Sequence, residues 1–388
     1  MNNFLYYTPT KVVFGKDTEN EAGNLVKEFN GKTVLVHYGG NSAVRSGLLD
    51  RVCLSLEKAG LKIFKLGGVV PNPRLSKVYE GIELCKKEGV DFILAVGGGS
   101  VLDSAKAIGY GLANEGDVWD FYERIRAPQA SAPVGCVLTI SATGSEMSDS
   151  SVITREEGWL KRGCNSNHCR MKFAILNPEL TFSLPWYQVA SGATDIIMHT
   201  LERWFDNGRV STEMTDAIAV SLFKTVMRNA LVLKENPTDY NAAAELMWAG
   251  SLSHNGLTGC GGSTPAGDWS CHQIEHELGG MFDVTHGAGL SAVWGSWARY
   301  VSKEKDERFV KLAKDLFGKE DVQFLIKAME DFFVSIDMPV NIAGLGITPT
   351  DEQIKELAWK CSFFGKRKVG AYRPLDLNDL EAIFSMAK

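Results

Sequence analysis

A chain of 388 residues, 45% apolar and 23% charged, has the make-up of a globular enzyme of about two domains. Its formal net charge of −6 leaves no basic excess to hold a nucleic acid or an anionic membrane surface. No apolar run approaches the ~20 residues that cross a bilayer, Met1 to Gly15 carry no leader pattern, and the eight scattered cysteines, with no C-x-x-C pair, read as reduced thiols of the cytoplasm.

In the first half, short apolar runs alternate with helical patterns. An edge strand is expected over 11–14 and a buried strand over 33–38 (TVLVHY). A helix follows over 48–59, a strand over 61–66, a helix over 75–88, a strand over 92–96 (FILAV), a helix over 101–113 and a strand over 134–140. Strands separated by helices of this length imply βαβ units and a parallel, Rossmann-like sheet. Past Leu184-Pro185, where the proline suits a first helical turn, helical patterns take over: 187–205, 212–233, 241–255, 270–279, 289–301, 305–316, 321–334, 350–361 and 378–386. No strand is expected beyond Leu176, and 256–267 reads as a glycine-rich loop. The fold class is thus an α/β N-terminal domain over 1–184 followed by an all-α C-terminal domain over 185–388.

Two strand ends carry glycines. Val96 is followed by Gly97-Gly98-Gly99-Ser100 at a strand-to-helix junction. Glycines let the backbone approach a pyrophosphate, and the N–H groups and dipole of a helix N-terminus favour the anion. The spacing is not G-x-G-x-x-G, so a tight turn is the alternative. The strand at 33–38 ends in Gly39-Gly40-Asn41-Ser42, with Arg45 nearby and no carboxylate to take adenosine ribose hydroxyls. That favours NADP over NAD, against a reading as solvated turn residues. Thr139 to Glu146 offer hydroxyls after another strand, suited to a nicotinamide amide or ribose, or to local loop hydrogen bonds.

Three of the seven histidines, His272, His276 and His286, lie in WSCHQIEHELGGMFDVTHGAG, the last of them in the turn after a helix. Asp195 and His199 sit four apart upstream, as do His272 and His276, so each pair shares a helix face. One carboxylate with several imidazoles suits a divalent metal such as iron or zinc. A rival reading exists: His272-Gln273-Ile274-Glu275-His276 spells H-x-x-E-H, in which both histidines would bind zinc and Glu275 would be the general base of a metallopeptidase. It leaves Asp195, His199 and both glycine turns without a task. His37, His168 and His254 read as structural, and Cys164, His168 and Cys169 lack zinc-site spacing.

Taken together, these stretches resemble the iron-containing (group III) alcohol dehydrogenases, and within them the NAD(P)H-dependent butanol dehydrogenase branch. The resemblance runs in order through Gly15-Lys16, Tyr38-Gly39-Gly40, Pro71-Asn72-Pro73, Gly97 to Asp103, Thr139 to Glu146, Pro185 to Glu202, Trp269 to Gly289 and Arg373-Pro374. It implies a two-domain fold with the cofactor in a cleft against one Fe²⁺ or Zn²⁺ held by Asp195, His199, His272 and His286, and a homodimer. His276 would then be no ligand but a proton-transfer group. Gly98, Gly99 and Ser100 would bind the pyrophosphate, and Gly39, Gly40, Asn41 and Ser42 would face the adenosine ribose. Asp103, Thr139, Thr143 and Lys161 would surround the nicotinamide end, with Asn72 also on the cofactor.

The implied reaction is reversible hydride transfer between NADP(H), with NAD possible, and a small primary alcohol or aldehyde such as butanol or butanal. The metal would act as Lewis acid on the substrate oxygen, and His276 would pass the proton to solvent. Trp159, Met198, Trp248 and Phe282 could wall an apolar pocket. A lyase related to dehydroquinate synthase is the alternative, but it needs basic residues clustered by the metal motifs, and none are seen there. Two departures stand out: Asn177, where the family has an acidic residue before Pro178, read as structural; and an atypical loop over 156–169, which contains Lys161.

Overall fold

The computed structural model describes residues 1–206, 210–262, 267–302 and 306–388. The chain divides into two compact units, Tyr7–Ser183 and Leu184–Lys388, with Met1–Tyr6 joined to the second. A boundary drawn only after residue 184 puts those six residues with the wrong unit. Asn2 explains why: its backbone N–H donates to Gly261 O at 3.0 Å and its side-chain amide to Gly262 O at 3.1 Å.

The first unit contains β1 (Lys11–Phe14), α1 (Ala22–Glu28), β2 (Thr33–Tyr38), α2 (Ser42–Arg45), α3 (Leu48–Lys58), β3 (Lys62–Leu66) and α4 (Leu75–Glu88). It continues through β4 (Phe92–Gly97), α5 (Gly99–Ala113), α6 (Trp119–Tyr122), β5 (Val134–Leu138), β6 (Ser150–Arg155), β7 (Leu160–Asn165) and β8 (Phe173–Leu176). Six strands pair in parallel in the order β1-β8-β5-β4-β2-β3, with β1 at an edge as expected. The central strands β4 and β5 are buried at every position, which is why they read as unbroken apolar runs. On one face of the sheet, Val34, Val36, Phe92, Leu94, Phe173 and Ile175 share a core with Leu25, Val26, Val52 and Leu56 of α1 and α3. Each such side chain contributes about 1.5–3 kcal/mol by leaving water.

The order of the sheet reverses between β2 and β4, the switch point at which open α/β sheets bind ligands. Tyr38 pairs with Val96 and Gly97 with Leu138. The segments that follow β2, β4 and β5 therefore leave the same edge of the sheet side by side. Two expectations need correction here. α5 begins at Gly99 rather than at residue 101, with Gly98 as its N-cap. Residues 156–169 are not simply a loop: β6 and β7 form an antiparallel hairpin that pairs Thr154 with Lys161. The alternation of β6 is masked by polar residues such as Ser151, whose Oγ donates to Asp103 O of α5 at 2.9 Å instead of facing solvent.

The second unit is helical, with no strand among the described residues: α7 (Trp186–Trp204), α8 (Glu213–Glu235), α9 (Tyr240–His254), α10 (Ser270–Phe282), α11 (His286–Val301), α12 (Glu307–Phe317), α13 (Val322–Ser335), α14 (Asp351–Cys361) and α15 (Leu377–Ala387). Pro185 is the residue before α7, not part of its first turn. The expected helix start at residue 305 and part of the glycine-rich loop lie outside the described residues. α7 is buried continuously from Ala190 to Trp204, as befits a helix surrounded by others. α11 crosses it at very close range: a Cβ at Gly287 would stand 2.0 Å from Ser191 O, so only glycine fits. Among the described residues no helix is long and apolar enough to cross a membrane.

Candidate metal centre and nucleotide site

Asp195 and His199 occupy successive turns of buried α7, His272 lies in the first turn of α10, and His286 is the first residue of α11. The last position corrects the expected turn ahead of a helix at Gly289. Asp195, His272 and His286 each present one ligand atom within 4.8 Å of the others. Asp195 Oδ1 is 3.7 Å from His272 Nε2, 3.6 Å from His286 Nε2 and 3.4 Å from His199 Nδ1. His199 sits outside the three-residue cluster but beside it, its ring centroid 4.7 Å from that of His272. His276 is set back, its ring centroid 6.0 Å from that of His286.

Asp195 Oδ1, His199 Nδ1 and His272 Nε2 are buried and have no hydrogen-bond partner. Each such atom costs about 1–3 kcal/mol, and native proteins keep few of them. Here they converge, at separations that two ligand bonds of about 2.1 Å can span. The donor set and its geometry fit a divalent transition metal.

Two carboxylates stand behind the histidine rings. Glu202 Oε1 accepts from the His272 backbone N–H at 2.8 Å and from ring Nδ1–H at 3.0 Å. Glu275, wholly buried, accepts from His286 Nδ1–H. The peptidase reading makes Glu275 a general base; the structure makes it a hydrogen-bond partner of His286. Burial would lower the pKa of His272, but Asp195 and Glu202 raise it to about 9. The two carboxylates thus favour positive charge at this point, as a cation-binding centre requires. Burial, and then the neighbouring His254 and His272, push His199 well below its usual value.

Sequence reading left His254 as merely structural. Its ring lies 4.0 Å from that of His199 and stacks on Trp269, over which the Arg203 guanidinium also sits at 4.6 Å. His37 is buried between Leu66 O and Ser104 Oγ, each at 2.9 Å, a structural role. His168 is exposed, while burial raises the Cys169 thiol and pushes Cys164 up to about 12, which makes poor metal ligands of both. Met198 is enclosed by protein, whereas Trp248 is 39% exposed.

In the sheet unit, Gly98 caps α5 and Gly99 opens it. A Cβ at Gly98 would lie 2.4 Å from Ile140 Cγ2, and one at Gly99 would lie 2.4 Å from Thr143 Cγ2. The glycines thus let the segment after β5 close over the first turn of α5, where N–H groups lack intrahelical partners. Gly40, Asn41 and Ser42 are exposed at the end of β2 and the start of α2; a Cβ at Gly40 would meet nothing within 4 Å. Asp103 accepts from Ser145 Oγ at 2.6 Å and from the Val152 N–H at 2.9 Å, tying α5 to the hairpin. Thr154 N–H donates to Pro73 O at 2.8 Å, which brings buried Asn72 to the same hairpin as buried Lys161. Asn72 is held in the left-handed region, at φ 51°. Asn177 is structural: its side chain donates to Glu19 Oε2 at 2.9 Å and accepts from the Glu179 N–H at 3.1 Å.

A parallel sheet with a glycine-lined switch point and a carboxylate–imidazole centre on helices is the make-up of a metal-dependent, nucleotide-using enzyme. The family described as iron-containing alcohol dehydrogenase matches residues 9–178, and the Fe-containing alcohol dehydrogenase family, C-terminal, matches 189–388. NADH-dependent butanol dehydrogenase A of Clostridium acetobutylicum is 35% identical, covering 99% of each chain. NADPH-dependent aldehyde reductase YqhD of Escherichia coli is 31% identical, covering 100% of each. The crystal structure of NADH-dependent butanol dehydrogenase A from Thermotoga maritima superposes with a TM-score of 0.95 at 37% identity, covering 100% of this chain and 99% of that one. The chain belongs to the iron-containing alcohol dehydrogenase family, in its butanol dehydrogenase branch. It is an oxidoreductase acting on CH–OH donors, a metal-dependent alcohol dehydrogenase or aldehyde reductase that uses a nicotinamide cofactor. The lyase and peptidase readings are not favoured.

Proposed function

We propose that the protein interconverts small primary alcohols and aldehydes, such as butanol and butanal, with NADP(H), using one Fe²⁺ or Zn²⁺. The convergence of unpartnered Asp195 Oδ1, His199 Nδ1 and His272 Nε2 carries this reading. Asp195, His199, His272 and His286 hold the ion, and the helical unit receives the substrate. The sheet unit binds the dinucleotide: the first turn of α5, with Gly98, Gly99 and Ser100, takes the pyrophosphate. Thr139, Thr143, Asp103, Lys161 and Asn72 serve the nicotinamide end. Gly39, Gly40, Asn41 and Ser42 receive the adenosine ribose. The absence of any carboxylate on that turn, the open space at Gly40 and the nearby Arg45 favour a 2′-phosphate. The named relatives include NADH- and NADPH-dependent enzymes, so support for NADP(H) comes from this turn and not from kinship.

When bound, the metal supplies Lewis acidity at the substrate oxygen and the nicotinamide supplies the hydride carrier. The half-buried His276 exchanges the hydroxyl proton with solvent, since an imidazole can both accept and donate a proton. With NADPH as cofactor, aldehyde reduction is the working direction. A homodimer in the cytoplasm completes the reading; family resemblance supports the first, and eight unpaired cysteines the second.

The test is consumption of NADPH, and separately of NADH, by metal-reconstituted protein given butanal. Rapid turnover with NADPH and little with NADH is expected. Preference for NADH overturns the nucleotide assignment alone, and no turnover across several aldehydes with either metal overturns the substrate class.

A further inference from the structure

We propose that Glu202 and Glu275 are a pair of positioning residues that lock His272 and His286 as Nε2 donors and set the affinity of the centre for its cation. The inference rests on the metal-centre reading above.

A neutral imidazole carries hydrogen on one nitrogen only, so the group holding that N–H decides which atom faces a metal. Glu202, three residues after His199 on α7 and 3% exposed, reaches α10 and grips His272 at two points, backbone N–H and ring Nδ1–H. This fixes ring orientation as well as tautomer. Glu275 performs the second task on His286, and it reaches that ring because Gly289 offers no side chain: a Cβ there would stand 2.8 Å from Glu275 Cγ. Both Nε2 atoms are thereby turned to Asp195 Oδ1, at 3.7 and 3.6 Å. Asp195, Glu202 and Glu275 together place three carboxylates around two rings that bind a cation as neutral imidazoles. The assembly is matched to a compact divalent charge. A glutamine at either glutamate position keeps the shape and an acceptor oxygen but removes the charge.

The experiment titrates metal-free wild type, Glu202→Gln and Glu275→Gln with Co²⁺ against a competing chelator, following the d–d absorption of the bound ion. Urea unfolding of each metal-free protein is measured alongside. The expected result is Co²⁺ affinity lowered about 10–100-fold in each variant, with a changed d–d spectrum in both and an unfolding midpoint unchanged from wild type in Glu275→Gln. Affinity within threefold of wild type and an unaltered spectrum in both variants overturn the proposal. So does a loss of affinity in Glu275→Gln that tracks a lowered unfolding midpoint. Should Glu202→Gln fail to fold, Glu275→Gln decides the matter independently. A wild type that binds no Co²⁺ overturns the metal centre itself.

Discussion

Gly289 of α11 lies so close to Glu275 of α10 that a β-carbon at 289 would stand 2.8 Å from Glu275 Cγ and 3.2 Å from its Oε1. The missing side chain is what allows a carboxylate from one helix to hold a histidine that opens the next. Gly289→Ala is therefore expected to push Glu275 away from His286, costing about 1–3 kcal/mol in overpacking and lowering bound metal per chain. Elemental analysis of purified protein, together with thermal unfolding, checks both effects.

His272 and His276 share a helix face, yet only His272 belongs to the cluster around Asp195. His272→Ala should empty the site. His276→Ala should keep full metal content while turnover falls by about 10²–10⁴, the usual range for losing a proton-transfer group. Metal analysis beside steady-state kinetics separates the two, and loss of metal from the His276 variant would restore the H-x-x-E-H reading.

Gly40 tolerates a side chain sterically, since its built Cβ meets nothing within 4 Å. Gly40→Asp introduces the ribose-binding carboxylate that the turn lacks, and it also repels a 2′-phosphate. KM for NADPH is expected to rise about tenfold or more, equivalent to roughly 1.4 kcal/mol, with little change for NADH and no change in melting temperature. Equal effects on both nucleotides would place the ribose elsewhere.

Burial holds the pKa of His37 down at about 4, against 6.5 in the unfolded chain. Between those values the unfolded chain binds a proton that the folded chain does not. Stability fully present above pH 6.5 is thus lost as pH falls towards 4, by up to about 3 kcal/mol. His37→Asn should be less stable at neutral pH but lose stability less steeply on acidification. Urea midpoints at pH 7, 5.5 and 4.5 measure the slope.

Asn177 donates to the buried carboxylate of Glu19, which also pairs with Arg51 at 3.1 Å. Restoring the family's acidic residue with Asn177→Asp would replace a donor by a like charge and leave Glu19 Oε2 short of its partner. Destabilisation of about 1–3 kcal/mol is expected. Chemical unfolding at neutral pH tests this. An Asn177→Asp protein as stable as wild type would show that Glu19 does not dictate the departure.

What the amino-acid order determined by itself is local. The 2-residue and 3.6-residue periods follow from backbone geometry, so the buried strands, the all-helical second half and the shared face of Asp195 and His199 could be read directly. The glycines at two strand ends were legible for the same reason, because strand-to-helix turns have their own residue preferences.

Only the tertiary structure decided the rest. Nothing periodic links Glu202 to His272, seventy residues away, or Asn177 to Glu19, and no local pattern marks Glu275 as a carboxylate turned towards α11. The polar residues of β6 and β7 hid a hairpin that is covered by α5 on β6 and by α6 on β7. Met1–Tyr6 joined the helical unit through hydrogen bonds to a distant loop. His286 became the first residue of a helix instead of a turn residue. In each case the deciding term is a contact between chain segments far apart in sequence, made possible where glycines such as Gly287 and Gly289 let backbones and carboxylates approach.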